Sequence, residues 1–244
     1  SQIIESCVHC GFCLATCPTY QLLGDELDSP RGRIYLIKSA LEKNQFSQKS
    51  LSHMDRCLTC RSCETTCPSG VEYGQLLEIG REMMESKRGK LQALYRYIVR
   101  KTLLTPLLFR PIGYFLRHSK VSSKPIKPNT IDSSVLLMGG CVQPSLAPNI
   151  NHSIKNILAK LNIEVRESSQ SECCGALDQH LAASNDALKK VKRNIDTWIS
   201  QLDSGVEAII SSASGCGIMI KDYPNLFEES DPYYEKSLLV SSKT

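Results

Sequence analysis

Residues 7–19, CVHCGFCLATCPT, and residues 57–69, CLTCRSCETTCPS, are two copies of one cysteine pattern, set 50 residues apart. Each copy has the spacing C-x2-C-x2-C-x3-C-P, which is typical of proteins that hold two [4Fe–4S] clusters. In such runs the first three thiolates bind one cluster, and the fourth, which precedes the proline, binds the other. The spacing therefore predicts two clusters with crossed ligands: Cys7, Cys10, Cys13 and Cys67 on the first, and Cys57, Cys60, Cys63 and Cys17 on the second.

Zinc and disulfide bonds are the alternative uses of these eight cysteines. Structural zinc ordinarily takes paired C-x2-C knuckles separated by a long spacer, with four ligands in all. A disulfide framework suits a short secreted chain, and cysteines three positions apart bridge poorly. The spacing favours iron–sulfur clusters over both alternatives.

Composition bounds the class of protein. The 244 residues are 41% hydrophobic, enough for a packed core, and include twelve cysteines. That many cysteines would be unusual in a reducing cytoplasm unless most of them bind metal. No leader pattern and no apolar run of the ~18 residues that span a membrane is seen. We expect a cytoplasmic protein, with peripheral attachment to the cytoplasmic face of the inner membrane as the alternative. The sequence begins with Ser1, and we expect it to be a fragment.

Positive charge is concentrated in one stretch. Residues 87–127 contain eleven Lys or Arg and no Asp or Glu, whereas the rest of the chain has 18 basic and 25 acidic residues. Leu91, Leu94, Tyr95 and Ile98 recur there at helical spacing, and Pro106 and Pro111 are expected to break the pattern. A basic amphipathic segment can lie on an anionic membrane surface. It can equally be a linker that packs on the protein or on a partner subunit, and both interpretations stay open.

The first part of the chain is predicted to be helical. Ser29 followed by Pro30 is a helix start, and RGRIYLIKSALEK places Ile34, Ile37 and Leu41 on one face. A second helix is predicted near GQLLEIGREMMES, after the second cysteine run, with Leu76, Ile79 and Met83 on one face. Because neither run is flanked by strand-like alternation, residues 1–88 are expected to form a helical two-cluster ferredoxin-like domain.

The second part alternates strands with helices. VLLMGG, IEVRE and VEAIISSA are predicted strands, and a strongly periodic helix is predicted from near Ser184. This βαβαβ order implies a parallel sheet, so residues 131–244 are expected to form an α/β domain behind a linker at residues 89–130. The predicted fold class is therefore α+β multidomain.

Four further cysteines follow the ends of these strands: Cys141, Cys173, Cys174 and Cys216. Since the carboxyl ends of parallel strands gather at one edge of a sheet, three loops should bring the four thiols together. Metal or cluster ligation is the favoured interpretation, with redox thiols and structural cysteines as the alternatives.

The residues of these motifs resemble those of a known protein family. CVHCGFCLATCPTYQLLGDELDSPRGRIYLIK, DRCLTCRSCETTCPSGVEYGQLLEIGRE, CCGAL and SASGCGIMIKDY are similar to the iron–sulfur subunits of bacterial glycolate oxidase (glycolate dehydrogenase). The wider superfamily includes subunits of glycerol-3-phosphate, lactate and heterodisulfide oxidoreductases. These join a two-cluster ferredoxin module to cysteine-rich CCG domains.

The resemblance implies an electron-transfer role. Partner flavoprotein subunits would oxidise glycolate to glyoxylate, and this subunit would relay single electrons toward a membrane quinone. The resemblance also implies that the four later cysteines belong to a CCG domain. Two departures from the family pattern affect this expectation. Ala213 stands where the superfamily pattern often has a cysteine, and the sequence stops before the second CCG domain that the family normally has.

No catalytic residue is expected in this chain itself. No G-x-G-x-x-G follows a strand, so flavin and hydride chemistry are expected only in partner subunits. A nucleic-acid partner is not expected. The alternative functions are the equivalent subunit of another superfamily complex, and a protein whose clusters sense iron or oxygen.

Overall fold

The computed structural model describes residues 2–43, 47–117, 121, 124–167 and 173–244. The chain divides into two compact units. The first comprises residues 1–94 with 180–182, and the second comprises residues 95–179 with 183–244. The domain boundaries predicted after residues 88 and 130 stay a prediction.

The first unit is helical. Its α-helices are α1 Gln2–Glu5, α2 Pro18–Leu23, α3 Pro30–Lys43, α4 Gln48–Asp55, α5 Ser62–Thr65 and α6 Tyr73–Glu85, with 3-10 helices at Phe12–Leu14 and Glu26–Asp28. The long helices enclose an apolar core to which Ile37, Leu76 and Leu77 contribute fully buried side chains. The described residues of this unit contain no strand. The prediction of a helical ferredoxin-type domain is confirmed.

Helix α3 begins where the sequence predicts. Pro30 is its first residue, and the Ser29 hydroxyl accepts a hydrogen bond of 2.9 Å from the Gly32 N–H. Gly32 is also a packing requirement, because a Cβ at this position would lie 2.0 Å from the carbonyl oxygen of Glu26. This contact seats α3 directly on the segment that follows the first cysteine run.

The basic segment forms two helices. Helix α7, Lys90–Leu104, carries the chain across the boundary at residue 94, and α8, Pro106–Phe115, follows after Thr105. Pro106 ends the helical pattern of α7 because it begins a new helix. At a first helical position the backbone N–H has no acceptor within the helix, so proline, which lacks that N–H, is tolerated there. Pro111 differs from expectation, because it lies inside α8 without ending it.

The second unit is an α/β structure. Its strands are β1 Ser133–Met138, β2 Ile163–Glu167 and β3 Ala208–Ser211, and its other helices are α9 Gln143–Leu146, α10 Pro148–Lys160, α11 Ala176–His180, α12 Ser184–Asp203, α13 Ser214–Lys221 and α14 Tyr234–Ser242, with a 3-10 helix at Tyr223–Leu226. Both strand pairs are parallel, in the order β2-β1-β3. The predicted parallel sheet is confirmed.

The sheet is buried against α12. Val191, Ile195 and Trp198 lie on one face of this helix and are fully buried in a core shared with Leu136 of β1 and Ile209 of β3. These residues are the periodic set that predicts the helix from the sequence. Central strand β1 is thereby fixed, and its carboxyl end faces the edge where the later cysteines lie.

Candidate metal centres

The two cysteine runs repeat in three dimensions as well as in sequence. His9 and Thr59 both have positive φ angles, 52° and 56°, and so do Gly11 and Arg61, at 88° and 57°. Left-handed residues at equivalent places turn each loop so that its first three thiols face inward. The hydroxyl oxygens of Thr16 and Thr66, also 50 residues apart, lie 3.2 Å from each other. The two loops therefore meet as equivalent halves.

The first cavity lies inside the first loop. Its walls include Phe12, Ile34 and Val71. The cysteines that line it are Cys7, Cys10, Cys13, Cys63 and Cys67. All four thiols predicted for the first cluster are present, and the fourth, Cys67, comes from the second run.

The second cavity has the complementary composition. The cysteines that line it are Cys17, Cys57, Cys60 and Cys63. These are the four thiols predicted for the second cluster, with Cys17 supplied by the first run. Cys63 lines both cavities.

Basic side chains outside the motifs hold the loops in place. Arg31 donates to the His9 carbonyl at 3.1 Å, and Arg81 donates to the Cys57 carbonyl at 2.9 Å and to the Thr59 hydroxyl at 2.9 Å. The sequence interpretation missed both arginines. Each lies on a helix predicted from apolar periodicity, and no local signal shows that a basic residue of that helix reaches a loop.

Burial raises the pKa of two thiols of this unit. The pKa of Cys63 is raised to about 12, because burial removes water from the thiolate and Glu64 lies nearby. The pKa of Cys13 is also raised, first by burial. A metal ion must therefore displace these protons on binding, which is the usual behaviour of cysteine ligands.

The residues present fit two iron–sulfur clusters. Each cavity offers four soft thiol donors, which is the ligand number of a [4Fe–4S] cluster. Apolar side chains line the first cavity, and Tyr73, which is 4% exposed, borders both cavities and donates toward Cys57 Sγ at 3.6 Å. Hydrogen bonds to sulfur and exclusion of water are two of the means by which proteins set cluster potentials.

The later cysteines lie at the carboxyl end of the sheet, as predicted. Cys141 follows β1, Cys173 and Cys174 precede α11, and Cys216 lies in the first turn of α13 after β3. Neighbouring thiols are hydrogen-bonded in the order Cys141, Cys173, Cys174, Cys216. The structure thus brings all four together in the second unit.

These hydrogen bonds polarise the four thiols. The pKa of Cys173 is lowered, because Cys141 and Cys174 donate to its sulfur, and the pKa of Cys216 is lowered by a hydrogen bond from Cys174. The pKa values of Cys141 and Cys174 are raised by the same pairings and by burial. Closely packed thiols that share protons in this way form a donor set suited to a soft metal.

Two buried polar residues fix the adjacent cysteine pair. Asn194 donates to the Cys173 carbonyl at 2.9 Å and to the Tyr223 hydroxyl at 3.0 Å, and that hydroxyl donates to the Cys174 carbonyl at 2.9 Å. The sequence interpretation missed both. Asn194 offered a signal, because it interrupts the apolar face of α12 beside Ile195.

A further cluster of residues of the types that bind metal ions has a structural role instead. Ligand atoms of Asp25, Asp28 and His53 lie within 4.8 Å of one another. Asp28 is fully buried, and its two oxygens lie 3.3 Å from Arg33 and 2.8 Å from Arg56. The two guanidinium groups already balance this carboxylate, so the group stabilises the fold.

Comparison with known families matches both units. Residues 3–71 match the family model described as a 4Fe-4S dicluster domain, and residues 135–221 match the model described as a Cysteine-rich domain. These matches agree with the predicted cofactors, two [4Fe–4S] clusters in the first domain and a cysteine-rich site in the second.

Curated relatives extend along nearly the whole chain. The "Glycolate oxidase iron-sulfur subunit" of Escherichia coli (strain K12) is 45% identical over 98% of this chain and 63% of its own length. The "Probable glycolate oxidase iron-sulfur subunit" of Bacillus subtilis (strain 168) is 30% identical over 98% of this chain and 63% of its own length. One subunit of a heterodisulfide reductase from Methanosarcina acetivorans is 24% identical over 94% of this chain and 60% of that protein.

The chain spans about 63% of the length of the first two relatives. No solved structure gives a significant match. None of the helices in the described part of the chain combines the length and the hydropathy that a membrane-spanning segment needs.

Proposed function

Because the chain is an iron–sulfur protein with a dicluster domain and a cysteine-rich domain, related along 98% of its length to a glycolate oxidase iron–sulfur subunit, we propose that it is the electron-transfer subunit of a flavin-dependent glycolate dehydrogenase complex. In this role it takes electrons from glycolate oxidation in a partner flavoprotein and passes them toward a membrane quinone.

The observation that carries this proposal is the pair of cysteine-lined cavities, which have Cys63 in common. When bound, [4Fe–4S] clusters accept and release single electrons. The chain's own residues hold the two sites against each other: the Thr16–Thr66 contact joins the loops, and the Cys63 side chain lies between the cavities. Short separation is what a one-electron relay requires.

We assign oxidation of the substrate to a partner subunit. The thiol sites offer cluster ligands, and their surroundings are apolar side chains and carbonyl-bound arginines, whose part is to orient the loops and exclude water. A flavin in the partner would convert the two-electron oxidation of the hydroxy acid into single-electron steps. The names of the relatives, which are iron–sulfur subunits of glycolate oxidase, support this division of labour.

The four thiols of the second unit are proposed to bind a further cluster or metal ion. Their hydrogen-bonded chain supports this assignment, as does the positioning of Cys173 and Cys174 by Asn194 and Tyr223. Ala213, at the amino end of α13, supplies no thiol where the superfamily pattern often has one.

Helix α8 supports a peripheral membrane location on the cytoplasmic face. Leu107 and Phe115 are 85% and 86% exposed, and Leu108, Tyr114 and Leu116 are also exposed. No acidic residue occurs between residues 87 and 127, so the charged residues of the segment that carries these apolar side chains are all basic. Apolar side chains among cations match an anionic lipid surface, which attracts basic groups and accepts apolar ones.

The test is anaerobic isolation of the protein with its native partners. About eight iron and eight sulfide per chain are expected from the dicluster domain, together with a co-purifying flavoprotein and quinone reduction that depends on glycolate. D-Lactate and glycerol 3-phosphate serve as the competing substrates. A complex that oxidises only a competing substrate would contradict the assignment to glycolate, and an iron-free, zinc-bearing protein would contradict the clusters.

A further inference from the structure

The second unit contains a cavity beside the four later thiols. Its volume is about 230 Å³, above the ~150 Å³ of an engineered cavity that binds benzene. Leu103, Leu104, Pro106 and Phe109, from the end of α7 and the start of α8, give it an apolar wall. An occupant could therefore bury a hydrocarbon or aromatic body on this side.

Another part of the lining is cationic. Lys190 and Arg193 of α12 and Arg110 of α8 line the cavity. Within the described part of the chain, neither arginine makes an ion pair with a carboxylate, and Lys190 binds Asp178. Guanidinium groups present a planar fork that matches carboxylate and phosphate oxygens.

Neighbouring carboxylates do not cancel this charge. Asp178 is shared between Lys190 and Arg100, and Asp186 is shared between Arg100 and Lys101. Those three cations and two carboxylates leave one positive charge. With Arg110 and Arg193 the region carries three positive charges, which is an unfavourable arrangement unless solvent or a bound anion balances it.

The floor of the cavity is formed by polar groups of the thiol site. Cys141, Cys173 and Asn194 line it, and the Asn194 amide is already engaged with the Cys173 carbonyl and the Tyr223 hydroxyl. The arginines are therefore the groups available to hold a ligand's charge. An occupant would lie against the cysteine site with its charged end on the two guanidinium groups.

We propose that this cavity binds a small organic anion, a carboxylate with an apolar body. The carboxylate pairs with Arg110 and Arg193, and the apolar body packs on the wall that includes Leu104 and Phe109. The proposal concerns binding alone and does not depend on the direction of electron flow or on the substrate of the complex.

The test is a calorimetric titration of the whole, anaerobically purified protein with benzoate, glycolate and inorganic phosphate. Benzoate is expected to bind saturably and more tightly than the other two. Arg110→Gln with Arg193→Gln should weaken benzoate binding at least about tenfold, since two charge-assisted contacts are lost. Arg110→Lys with Arg193→Lys should retain more of the affinity than the glutamine pair.

Lys189→Gln is the matched control, because Lys189 is exposed on α12 and does not line the cavity. Its affinity for benzoate should equal that of the unchanged protein, and far-UV circular dichroism should show that all variants fold. Absence of saturable benzoate binding, or equal binding by the glutamine pair, overturns the proposal. Tighter binding of phosphate than of benzoate overturns the assignment to an organic anion.

Discussion

Each cysteine that precedes a proline lies with the other run's thiols, and this is the sharpest residue-scale feature of the protein. Cys67 lines the first cavity and Cys17 lines the second. The crossing follows from the loop geometry, since Pro18 starts α2 immediately after Cys17 and directs the chain away from its own loop. Spacing alone predicts this arrangement, and pairs of substitutions can test it.

Cys17→Ser combined with Cys57→Ser should remove two ligands from one cluster and leave the other intact. Counted over the dicluster domain alone, we expect about four iron per chain, half of that domain's unchanged content. Cys17→Ser combined with Cys7→Ser should instead damage both clusters, and the iron of the dicluster domain should fall toward zero. Iron and sulfide analysis after anaerobic purification measures the difference.

The reciprocal pairs are the controls for this experiment. Cys67→Ser with Cys7→Ser should keep about four iron, and Cys67→Ser with Cys57→Ser should lose nearly all of it. If each run binds its own cluster, the outcomes of all four pairs are reversed. The crossed assignment would then be wrong.

The carboxylate of Asp186 makes the stability of the second unit depend on pH. Arg100 and Lys101 donate to its carboxylate at 2.8 and 3.0 Å, and these hydrogen bonds lower its pKa to about 2 from an ordinary 3.8. Because the folded-state pKa is the lower one, the stabilisation is fully present above about pH 4 and is lost as the pH falls toward 2. Screening by solvent limits it to about 1 kcal/mol or less.

Asp186→Asn should therefore lower the free energy of unfolding at pH 6, and the difference from the unchanged protein should shrink below pH 4. Urea unfolding followed by tryptophan fluorescence reports this unit, because Trp198 is the one tryptophan of the chain and is fully buried there. Asp203→Asn, at an exposed position of the same helix, is the control and should show no such pH dependence. A difference that does not change with pH would contradict the role of Asp186.

At the scale of elements, α3 depends on one close approach. Gly32 faces the backbone of Glu26 and Leu27, and atoms at 2.0–2.8 Å leave no room for a side chain. Gly32→Ala should displace α3 and lower the free energy of unfolding by about 1–3 kcal/mol. Chemical denaturation followed by circular dichroism measures the loss.

Gly89→Ala is the matched control, because a Cβ there would meet no atom within 4 Å. Its stability should be unchanged or slightly higher, since alanine restricts the unfolded chain more than glycine does. Equal effects of the two substitutions would show that the contact with Glu26 is not what Gly32 provides.

Helix α8 leads to a prediction about lipid. Leu107→Gln with Phe115→Gln should reduce co-sedimentation with anionic vesicles several-fold, because two nearly fully exposed apolar side chains are lost from the helix. Binding should also fall with added salt and be weak on neutral vesicles. Leu22→Gln is the control, since Leu22 is 84% exposed but lies in α2, outside the basic segment. Equal binding by both variants would favour a protein partner for α8.

In helix α6 the apolar periodicity of the sequence does not predict the buried face correctly. Leu76, Ile79 and Met83 are the predicted apolar face, but Ile79 is 46% exposed and Met84 is fully buried. The buried face is rotated because Arg81 points inward to the Cys57 carbonyl. A hydrophobicity pattern treats arginine as a surface residue, so it cannot foresee a guanidinium that is buried to hold a loop.

At the scale of the whole molecule, the sequence predicts the two architectures and the gathering of both cysteine sets. The spacing of the first eight cysteines and the positions of the last four at the ends of strands can be read from local sequence. The contacts that support the two sites cannot be predicted in this way, because Arg31, Arg81 and Tyr223 each bind a segment that is distant in sequence. The cavity lined by Arg110 and Arg193 also joins helices that are far apart in sequence.

Removal of iron should affect the two units differently. The loops at residues 7–17 and 57–67 are turns whose thiols face cavities, whereas the strands of the second unit are held by a core centred on Trp198. We expect chelation to increase hydrogen exchange in both loops and to leave β1, β2 and β3 protected. Hydrogen exchange with mass spectrometry, before and after chelation, measures both regions. Equal deprotection of the strands would contradict the independence of the two cores.

The contact between Thr16 and Thr66 has a consequence for how this module could have arisen. The two loops meet at equivalent atoms, and each lends its last thiol to the other. A peptide carrying one loop would enclose a cubane with three sulfurs and lack the fourth. Two such peptides, exchanging their final cysteines across a twofold axis, would complete both. The covalent chain therefore has the arrangement that a swapped homodimer of this loop would have, and α3 and α4 lie in the segment that connects its two halves.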